Sequence, residues 1–376
     1  MYGKPVAVGA GVSKFDNISA PNTQLGKSVE IRENPLLANA PVAVGGQPSR
    51  RGVIATCNYI ARQFGVHSAM ASSHALRICP DLVFVTPNFP LYKQVSNQIR
   101  EIMLRYTDII EPLSLDEAYL DVSDSAHFNG SATRIAEAIR LDVKNELNLC
   151  VSAGIAPNKF LAKIASDWEK PDGLFVITPD QIHSFVQSLP VNKINGVGKV
   201  TTKKLNDLNI HTCGDLYKFE EAYLIQKFGS YGSRLYQLAR GVDNRPVQTT
   251  RIRKSLSVEH TFSKDLQTID EILKNSERVF NELCERADKL SADTRLNKRF
   301  VKVKFNDFTQ TTLEEMISPS LPISQSAWRD TADYSRMLRQ AWRRSAKPIR
   351  LLGMGVRLVT SEPVNEQVQL DLFQPL

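Results

Sequence analysis

Apolar residues recur along this chain with two different periods, and the switches between them outline its elements. From Tyr92 to Arg105, Val95, Ile99, Ile102 and Met103 fall on one side of a helix; from Ala132 to Leu147, Ile135, Ala138, Ile139, Val143 and Leu147 do the same. Between these helices Ile109, Ile110 and Leu113 lead into a stretch where Ala118, Leu120 and Val122 alternate with Tyr119 and Asp121, the period of a strand. Cys150 to Ile155 reads as a strand able to lie beside that hairpin. Asn158 to Trp168 reads as a helix that Pro171 and Gly173 terminate. Upstream, Pro41 to Val44 and Val53 to Ala55 are short strands, and Asn58 to Phe64 is a short helix ended by Gly65. Strands alternating with amphipathic helices predict an antiparallel or mixed sheet backed by two helices, an α+β plan.

The pattern changes after Thr178. As far as Gly241 the chain is helical in short pieces centred on Gly196-Val197-Gly198-Lys199. Asp243 to Lys254 is polar, without apolar period, and reads as a tether. Strand-like alternation returns at Ser255–Phe262, Phe300–Phe305 and Ile349–Val359, with helices over Ile269–Leu290 and Tyr334–Arg344. That β-helix-β-helix-β order predicts a second α+β domain with one sheet face open. His260 falls on its apolar side and reads as a packed core residue. Residues 1–28 lack apolar periodicity and read as loop, although Pro5-Val6-Ala7-Val8-Gly9 recurs as Pro41-Val42-Ala43-Val44-Gly45.

Composition narrows the function classes. At 376 residues, 42% hydrophobic and 23% charged, the chain can hold two to four domains with buried cores. No apolar run approaches the ~18 residues of a membrane span, and no export signal is visible, so a cytoplasmic protein with no membrane partner is expected. Cys57, Cys79, Cys150, Cys213 and Cys284 are scattered without a Cys-x-x-Cys pair. They read as buried thiols rather than a zinc site or disulfide framework. Net charge is +7. Residues 251–360 carry 21 Lys+Arg against 14 Asp+Glu, a difference equal to the whole excess, which suits a polyanionic partner.

Candidate chemistry sits in four places. Asp116-Glu117 heads the strand of the central hairpin, where a turn can aim both carboxylates the same way; a hard cation such as Mg²⁺ would relieve their repulsion. Thr56, Tyr59 and Arg62 recur every three residues, as on one helical face, and a hydroxyl, a phenol and a guanidinium suit a triphosphate. Gly196 and Gly198, followed by Lys199, Lys203 and Lys204, match a helix-hairpin-helix whose backbone can approach a phosphate. Gln369-Leu370-Asp371-Leu372-Phe373 puts large apolar residues on a polar tail, as anchors for a partner's groove would be.

Together these stretches resemble the Y family of translesion DNA polymerases. The resemblance rests on Ser-Leu-Asp-Glu-Ala-Tyr-Leu-Asp at 114–121, Ala-Thr-Cys-Asn-Tyr-Ile-Ala-Arg-Gln-Phe-Gly at 55–65, Pro-Asn-Lys-Phe-Leu-Ala-Lys-Ile-Ala-Ser-Asp at 157–167 and Lys-Pro-Asp-Gly at 170–173. It implies a multidomain α+β right-hand polymerase with palm, fingers and helical thumb, plus a little-finger domain. The implied boundaries are an atypical segment over 1–28 replacing the first palm strand, fingers over 29–85, palm over 86–177, thumb over 178–242, linker over 243–254, little finger over 255–361 and a clamp-binding tail over 362–376.

By the same resemblance, Asp116 and Glu117 are the catalytic, metal-binding carboxylates of a two-Mg²⁺ site for template-directed DNA synthesis past lesions. Thr56, Tyr59, Arg62 and Lys170 hold the incoming deoxynucleoside triphosphate. Gly196, Gly198, Lys199, Lys302 and Lys304 contact primer-template phosphates, and Gln369, Leu370, Leu372 and Phe373 dock on a sliding clamp. A monomer in the bacterial cytoplasm, associated with the nucleoid, is expected. The family opens with apolar-Asp-x-Asp-x-Phe-aromatic-Ala-Ala-Val-Glu, of which this chain keeps only Val29-Glu30; counting back, Pro21 stands at the first metal-binding Asp and Gly26 at the aromatic that screens the sugar. The alternative this raises is a primer-template and sliding-clamp binding protein with impaired synthesis. A helix-hairpin-helix nuclease, the third class, would account for the acidic pair but not for residues 55–65 together with the tail.

Overall fold

The structure, a computed structural model, describes residues 5–9 and 24–359. It divides into two compact units, Met1–Thr250 and Arg251–Leu376. The elements of the first unit, in chain order, begin with β1 (Pro5–Gly9), α1 (Gln24–Glu33), β2 (Val42–Gly45), β3 (Ile54–Cys57), α2 (Tyr59–Gln63), α3 (Ser72–Ile78), β4 (Val83–Val85) and α4 (Phe89–Leu104). There follow β5 (Ile110–Pro112), β6 (Glu117–Asp121), α5 (Ala132–Leu147), β7 (Ser152–Ile155), α6 (Lys159–Trp168) and β8 (Leu174–Val176). Five short helices close the unit: α7 (Ile182–Ser188), α8 (Lys199–Asn206), α9 (Cys213–Tyr217), α10 (Glu221–Phe228) and α11 (Ser230–Ala239).

Two sheets organise this unit. The larger runs β5-β6-β1-β7-β8, and a smaller one runs β3-β2-β4. On one face of the larger sheet the stripes of α4 and α5 (Val95, Ile99, Ile102, Met103, Ile135, Ile139, Val143) meet Leu120, Val122, Ala153 and Ile155, with Leu25 and Val29 of α1 sealing one end. On the other face lies α6, pressed so close that a Cβ on Gly154 would come within 2.1 Å of the Ser166 nitrogen. Only a residue without a side chain permits that approach. Asn158 caps α6, its side chain accepting from the Leu161 N–H at 3.0 Å.

The fold corrects three expectations. Pro5–Gly9 is a strand, not a loop: β1 fills the slot between β6 and β7, antiparallel to both, with Val6 opposite Leu120 and Ile155 and Gly9 opposite Glu117 and Ser152. Consequently β7 lies beside β1 and β8 rather than beside the hairpin. A five-residue strand between unpatterned neighbours gives little local signal, because its pairing partners lie over a hundred residues away in sequence. Third, the tether is docked over its first half. Asp243, its side chain fully buried, pairs with Arg234 at 3.1 Å and Arg245 at 2.8 Å. The Asn158 amide donates to the Gly241 carbonyl at 2.8 Å, Lys159 donates to the Pro246 carbonyl at 3.0 Å and pairs with Glu111, and the Gln248 N–H donates to the same Glu111 at 2.8 Å.

Burial pushes the Asp243 carboxyl up, but the two guanidiniums outweigh it and hold the group at about 2. A carboxylate held below its unfolded value contributes stability that is present above about pH 4 and lost as pH falls through about 2. Asp243→Asn should therefore cost about 2 kcal/mol at neutral pH, roughly 4–8 °C in melting temperature for a unit of this size. The gap between variant and native protein should shrink between pH 4 and pH 2. Thermal melts across that range check it; a constant gap would assign the loss to packing instead.

The second unit contains β9 (Ser255–Leu266), α12 (Ile269–Ala287), β10 (Arg295–Phe305), β11 (Gln310–Pro322), α13 (Thr331–Arg343) and β12 (Ile349–Leu358). Its antiparallel sheet runs β11-β10-β12-β9, with α12 and α13 packed on one face around Trp328, Met337, Leu338, Val279 and Leu283. The alternation expected for this region held for three strands and missed β11. Glu314, Glu315 and Pro319 interrupt its apolar period, which an edge strand tolerates. His260 is half-buried and bonded to Glu282 at 2.8 Å, a bound surface residue more than a core one.

Candidate active site and nucleic-acid interface

The β5–β6 turn sets the acidic pair. The Leu113 N–H donates to the Glu117 carbonyl at 2.8 Å, and the Ser114 hydroxyl donates to an Asp116 carboxylate oxygen at 2.5 Å. Asp116 is only 5% exposed. Burial first, and Glu117 second, raise its carboxyl to about 7, against the pull of Ser114, Lys163 and Lys170. Glu117 is balanced differently: Lys163 of α6 reaches it at 2.8 Å and reaches Asp167 at 3.2 Å, and Asp167 meets Lys170 at 2.5 Å. Burial opposes the Lys163 charge, yet Glu117 and Asp167 hold its ammonium above the ordinary value. An ionic chain Glu117–Lys163–Asp167–Lys170 thus runs along α6.

Among the described residues Asp116 has no direct ion pair, and a carboxylate raised by burial and then by Glu117 is the donor a divalent ion would relieve. The chemistry of the pair fits one such ion. Among the described residues no third His, Cys, Asp or Glu joins it, and β1, which borders the site, carries no carboxylate. Lys163 and Asp167 were not singled out from the sequence. Their i, i+4 spacing on an amphipathic helix was the available signal.

The candidate nucleotide residues converge from two elements rather than one face. Thr56 belongs to β3, whereas Tyr59 and Arg62 lie on α2, which Asn58 caps by accepting from the Ala61 N–H at 2.9 Å. The three-residue spacing reads as one helical face because the strand ends just before the cap. The Thr56 hydroxyl and Nε and Nη2 of Arg62 are buried without a hydrogen-bond partner. Lys170 is felt both at Asp116 and at Lys27 of α1, so it joins the carboxylates to this cationic cluster. Lys27 is itself buried, its ammonium 4.5 Å above the Tyr59 ring. Sequence reading passed over it because α1 has no apolar period of its own.

The helix-hairpin-helix geometry is present. Gly196 has φ +98°, a left-handed conformation that suits glycine, and Gly198 is the extended N-cap of α8 with no side-chain cap on the helix. Lys199 begins α8, and Lys203 and Lys204 are exposed on it. On the open sheet face of the second unit, Lys302 is engaged by both oxygens of Glu259 at 3.0 Å, and the Lys304 ammonium lies 5.3 Å over the Phe308 ring. That face therefore carries ion pairs as well as the bare positive charge expected of it. Gln369, Leu370, Leu372 and Phe373 lie outside the described residues. Of the cysteines, Cys57, Cys79 and Cys213 are buried, Cys284 is half-buried and Cys150, against expectation, is exposed. Among the described residues no helix is long and apolar enough to cross a membrane.

The paired carboxylates at the head of a sheet strand, the cationic cluster and the helix-hairpin-helix all belong to the first unit. Residues 23–167 match the impB/mucB/samB family, residues 253–372 its C-terminal domain and residues 192–243 the thumb domain of DNA polymerase iota. The chain belongs to the Y family of DNA polymerases.

Among curated relatives it is 55% identical over 346 residues to DNA polymerase IV of Ectopseudomonas mendocina (strain ymp), covering 92% of this chain and 95% of that one. It is 54% identical over 343 residues to DNA polymerase IV of Pseudomonas savastanoi pv. phaseolicola, covering 91% and 95%. Among solved structures it is similar to a Y-family polymerase chimera of Dbh and Dpo4, with TM-score 0.81, 26% identity and coverage of 94% and 98%. It is also similar to an insertion ternary complex of Dbh DNA polymerase, with TM-score 0.63, 25% identity and coverage of 95% and 99%.

Proposed function

We propose that this chain carries out template-directed DNA synthesis past lesions. The observation that supports this best is the juxtaposition, through Lys170, of the Asp116–Glu117 pair with the cationic cluster around Arg62. In this reading the primer 3′ hydroxyl oxygen attacks the α-phosphorus of a deoxynucleoside triphosphate; a new P–O bond forms, the bond from that phosphorus to the bridging oxygen of the β-phosphate breaks, pyrophosphate leaves and the hydroxyl proton passes to water. Bound divalent ions, Mg²⁺ and two in the complete reaction, supply the charge that activates the attacking oxygen and steadies the leaving group. Asp116 and Glu117 would contribute carboxylate oxygens to that metal site. Thr56, Tyr59, Arg62 and Lys170 hold and orient the triphosphate, and Arg62 can fork onto its oxygens with nitrogens that otherwise lack an acceptor.

Primer-template is gripped by its phosphates and not by base reading: the backbone at Gly196 and Gly198 with Lys199, and the Lys302/Lys304 face, where a phosphate replaces Glu259 on Lys302. The protein acts as a monomer in the bacterial cytoplasm, at the nucleoid, and Gln369, Leu370, Leu372 and Phe373 tie it to the sliding clamp. Primer extension by this chain with Mg²⁺ and all four deoxynucleotides tests the proposal.

A second reading, a primer-template and clamp-binding protein with impaired synthesis, rests on the sequence alone, in which Pro21 stands where the family pattern carries its first metal-binding Asp. It predicts retained primer-template binding with no extension in the same assay. Under either reading, deleting residues 369–376 should leave binding to short primer-template within about twofold. The same deletion should lower clamp affinity at least about tenfold, the scale of losing an anchored peptide. Clamp pull-down or clamp-dependent stimulation reads this; undiminished clamp binding would remove the peptide from the docking role.

A further inference from the structure

Lys27 is the least explained charge in the first unit. It sits on α1, only 5% exposed, with its ammonium 4.5 Å above the centre of the Tyr59 ring. Its charged surroundings are Arg62 and Lys170, with the buried thiol of Cys57 beside them, and among the described residues no carboxylate acts on its charge. Burying an ammonium is costly, and adding two cations nearby costs more. Burial first, then Arg62, pull the Lys27 ammonium down to about 8. A phenol ring face offsets only part of that cost. Nearby, Nε and Nη2 of Arg62 and the Thr56 hydroxyl are buried and unpartnered. Among the described residues Lys170 is ion-paired with Asp167, at 2.5 Å. Lys27, Arg62 and Lys170 act on one place, and the unpartnered nitrogens of Arg62 leave an anion of several charges to be supplied there.

We propose that Lys27 is an additional contact to the triphosphate of the incoming nucleotide, acting beside Tyr59, Arg62 and Lys170. This rests on the nucleotide-binding reading of that cluster. It assigns a role to a position where the family pattern quoted above carries alanine, so it is a feature of this chain and not of the pattern. Because an anion stabilises the ammonium, nucleotide binding takes up a proton at Lys27 above about pH 8. The other titratable neighbours, the Cys57 thiol and the Tyr59 phenol at about 12, are both raised by burial and stay protonated there.

The test uses the full chain on a primer-template whose primer ends in a dideoxynucleotide, so that nucleotide binds without incorporation. Equilibrium binding of the next correct deoxynucleoside triphosphate, of the corresponding monophosphate and of the primer-template itself is measured for native protein, Lys27→Met, Lys27→Arg and Arg62→Ala. Lys27→Met keeps the buried stem, which guards the fold. It is expected to weaken triphosphate binding about tenfold and to leave monophosphate and primer-template binding unchanged. Lys27→Arg should recover most of the loss. The native protein, but not Lys27→Met, should bind triphosphate more weakly as pH rises from 7 to 9. If Arg62→Ala weakens triphosphate binding and Lys27→Met does not, Lys27 is a structural residue and the proposal fails while the nucleotide site stands. If the native chain binds no triphosphate, or Arg62→Ala has no effect, both fail together.

Discussion

Asp116→Ala should abolish primer extension, with a loss of at least ~10³-fold, while primer-template affinity stays within about twofold. The rate loss follows from removing a buried carboxylate that lies outside the ion-paired chain along α6 and is placed to meet a metal ion; a metal-held oxygen stabilises the transition state by several kcal/mol. DNA binding should survive because Asp116 is 5% exposed and faces the turn and Glu117, not the helix-hairpin-helix. Stability should move in the opposite direction to activity. Asp116 has a folded-state value near 7, above its ordinary 3.8. Below about pH 4 the group is protonated in both states and contributes nothing; as pH rises toward 7 the folded state resists ionisation and loses stability. Asp116→Asn should therefore melt several degrees above the native protein at pH 8 and level with it at pH 4 when no divalent ion is present, the usual trade between a working site and a relaxed fold. Extension that survives in Asp116→Ala would take the catalytic role away from this residue.

What could be read in advance follows the physical range of each signal. The acidic hairpin, α4, α5 and α6 were legible because each is an uninterrupted local pattern ending in a cap or a breaker. The end of β3 was not: Thr56, Tyr59 and Arg62 keep a helical spacing across a strand-to-helix junction, and spacing alone cannot locate Asn58 as the cap. Pairings between distant segments were also out of reach. Lys302 read as a free cation, and its partner Glu259 lies on β9, which reaches β10 only through β12. The tether read only as polar chain between domains, whereas Asp243 and the Glu111–Lys159 pair fasten its first residues to α11, β5 and α6. Lys27 was silent because its meaning comes entirely from what α2 brings to it. Local rules found the elements; the site depends on charges that only the assembled sheet brings together.

The strand that sequence reading passed over yields the second large effect. Gly9 ends β1 directly opposite Glu117 on one side and Ser152 on the other. Directly opposed residues in antiparallel strands project to the same face, with Cβ atoms about 4.5–5.5 Å apart. Position 9 therefore shares the face of Glu117, which is also the face of Lys163 on α6. Gly9→Asp would add a third carboxylate beside the pair and is expected to lower the Mg²⁺ concentration for half-maximal extension at least ~10-fold and to raise the extension rate, since an ion shared among three carboxylates is held more tightly than one shared between two. The gain should vanish in the double variant with Asp116→Ala. One residue away the outcome reverses: position 8 lies opposite Ala118 and Ala153, both packed in the apolar core under α4 and α5. Val8→Asp should unfold or strongly destabilise the unit by setting a charge opposite two core alanines. Titrating Mg²⁺ in a primer-extension assay, with a thermal melt for each variant, reads both outcomes. A Gly9→Asp protein that folds and shows no change in its Mg²⁺ requirement would mean that the ion-binding carboxylates are completed from somewhere other than β1, and that filling this strand's place in the sheet is its whole contribution.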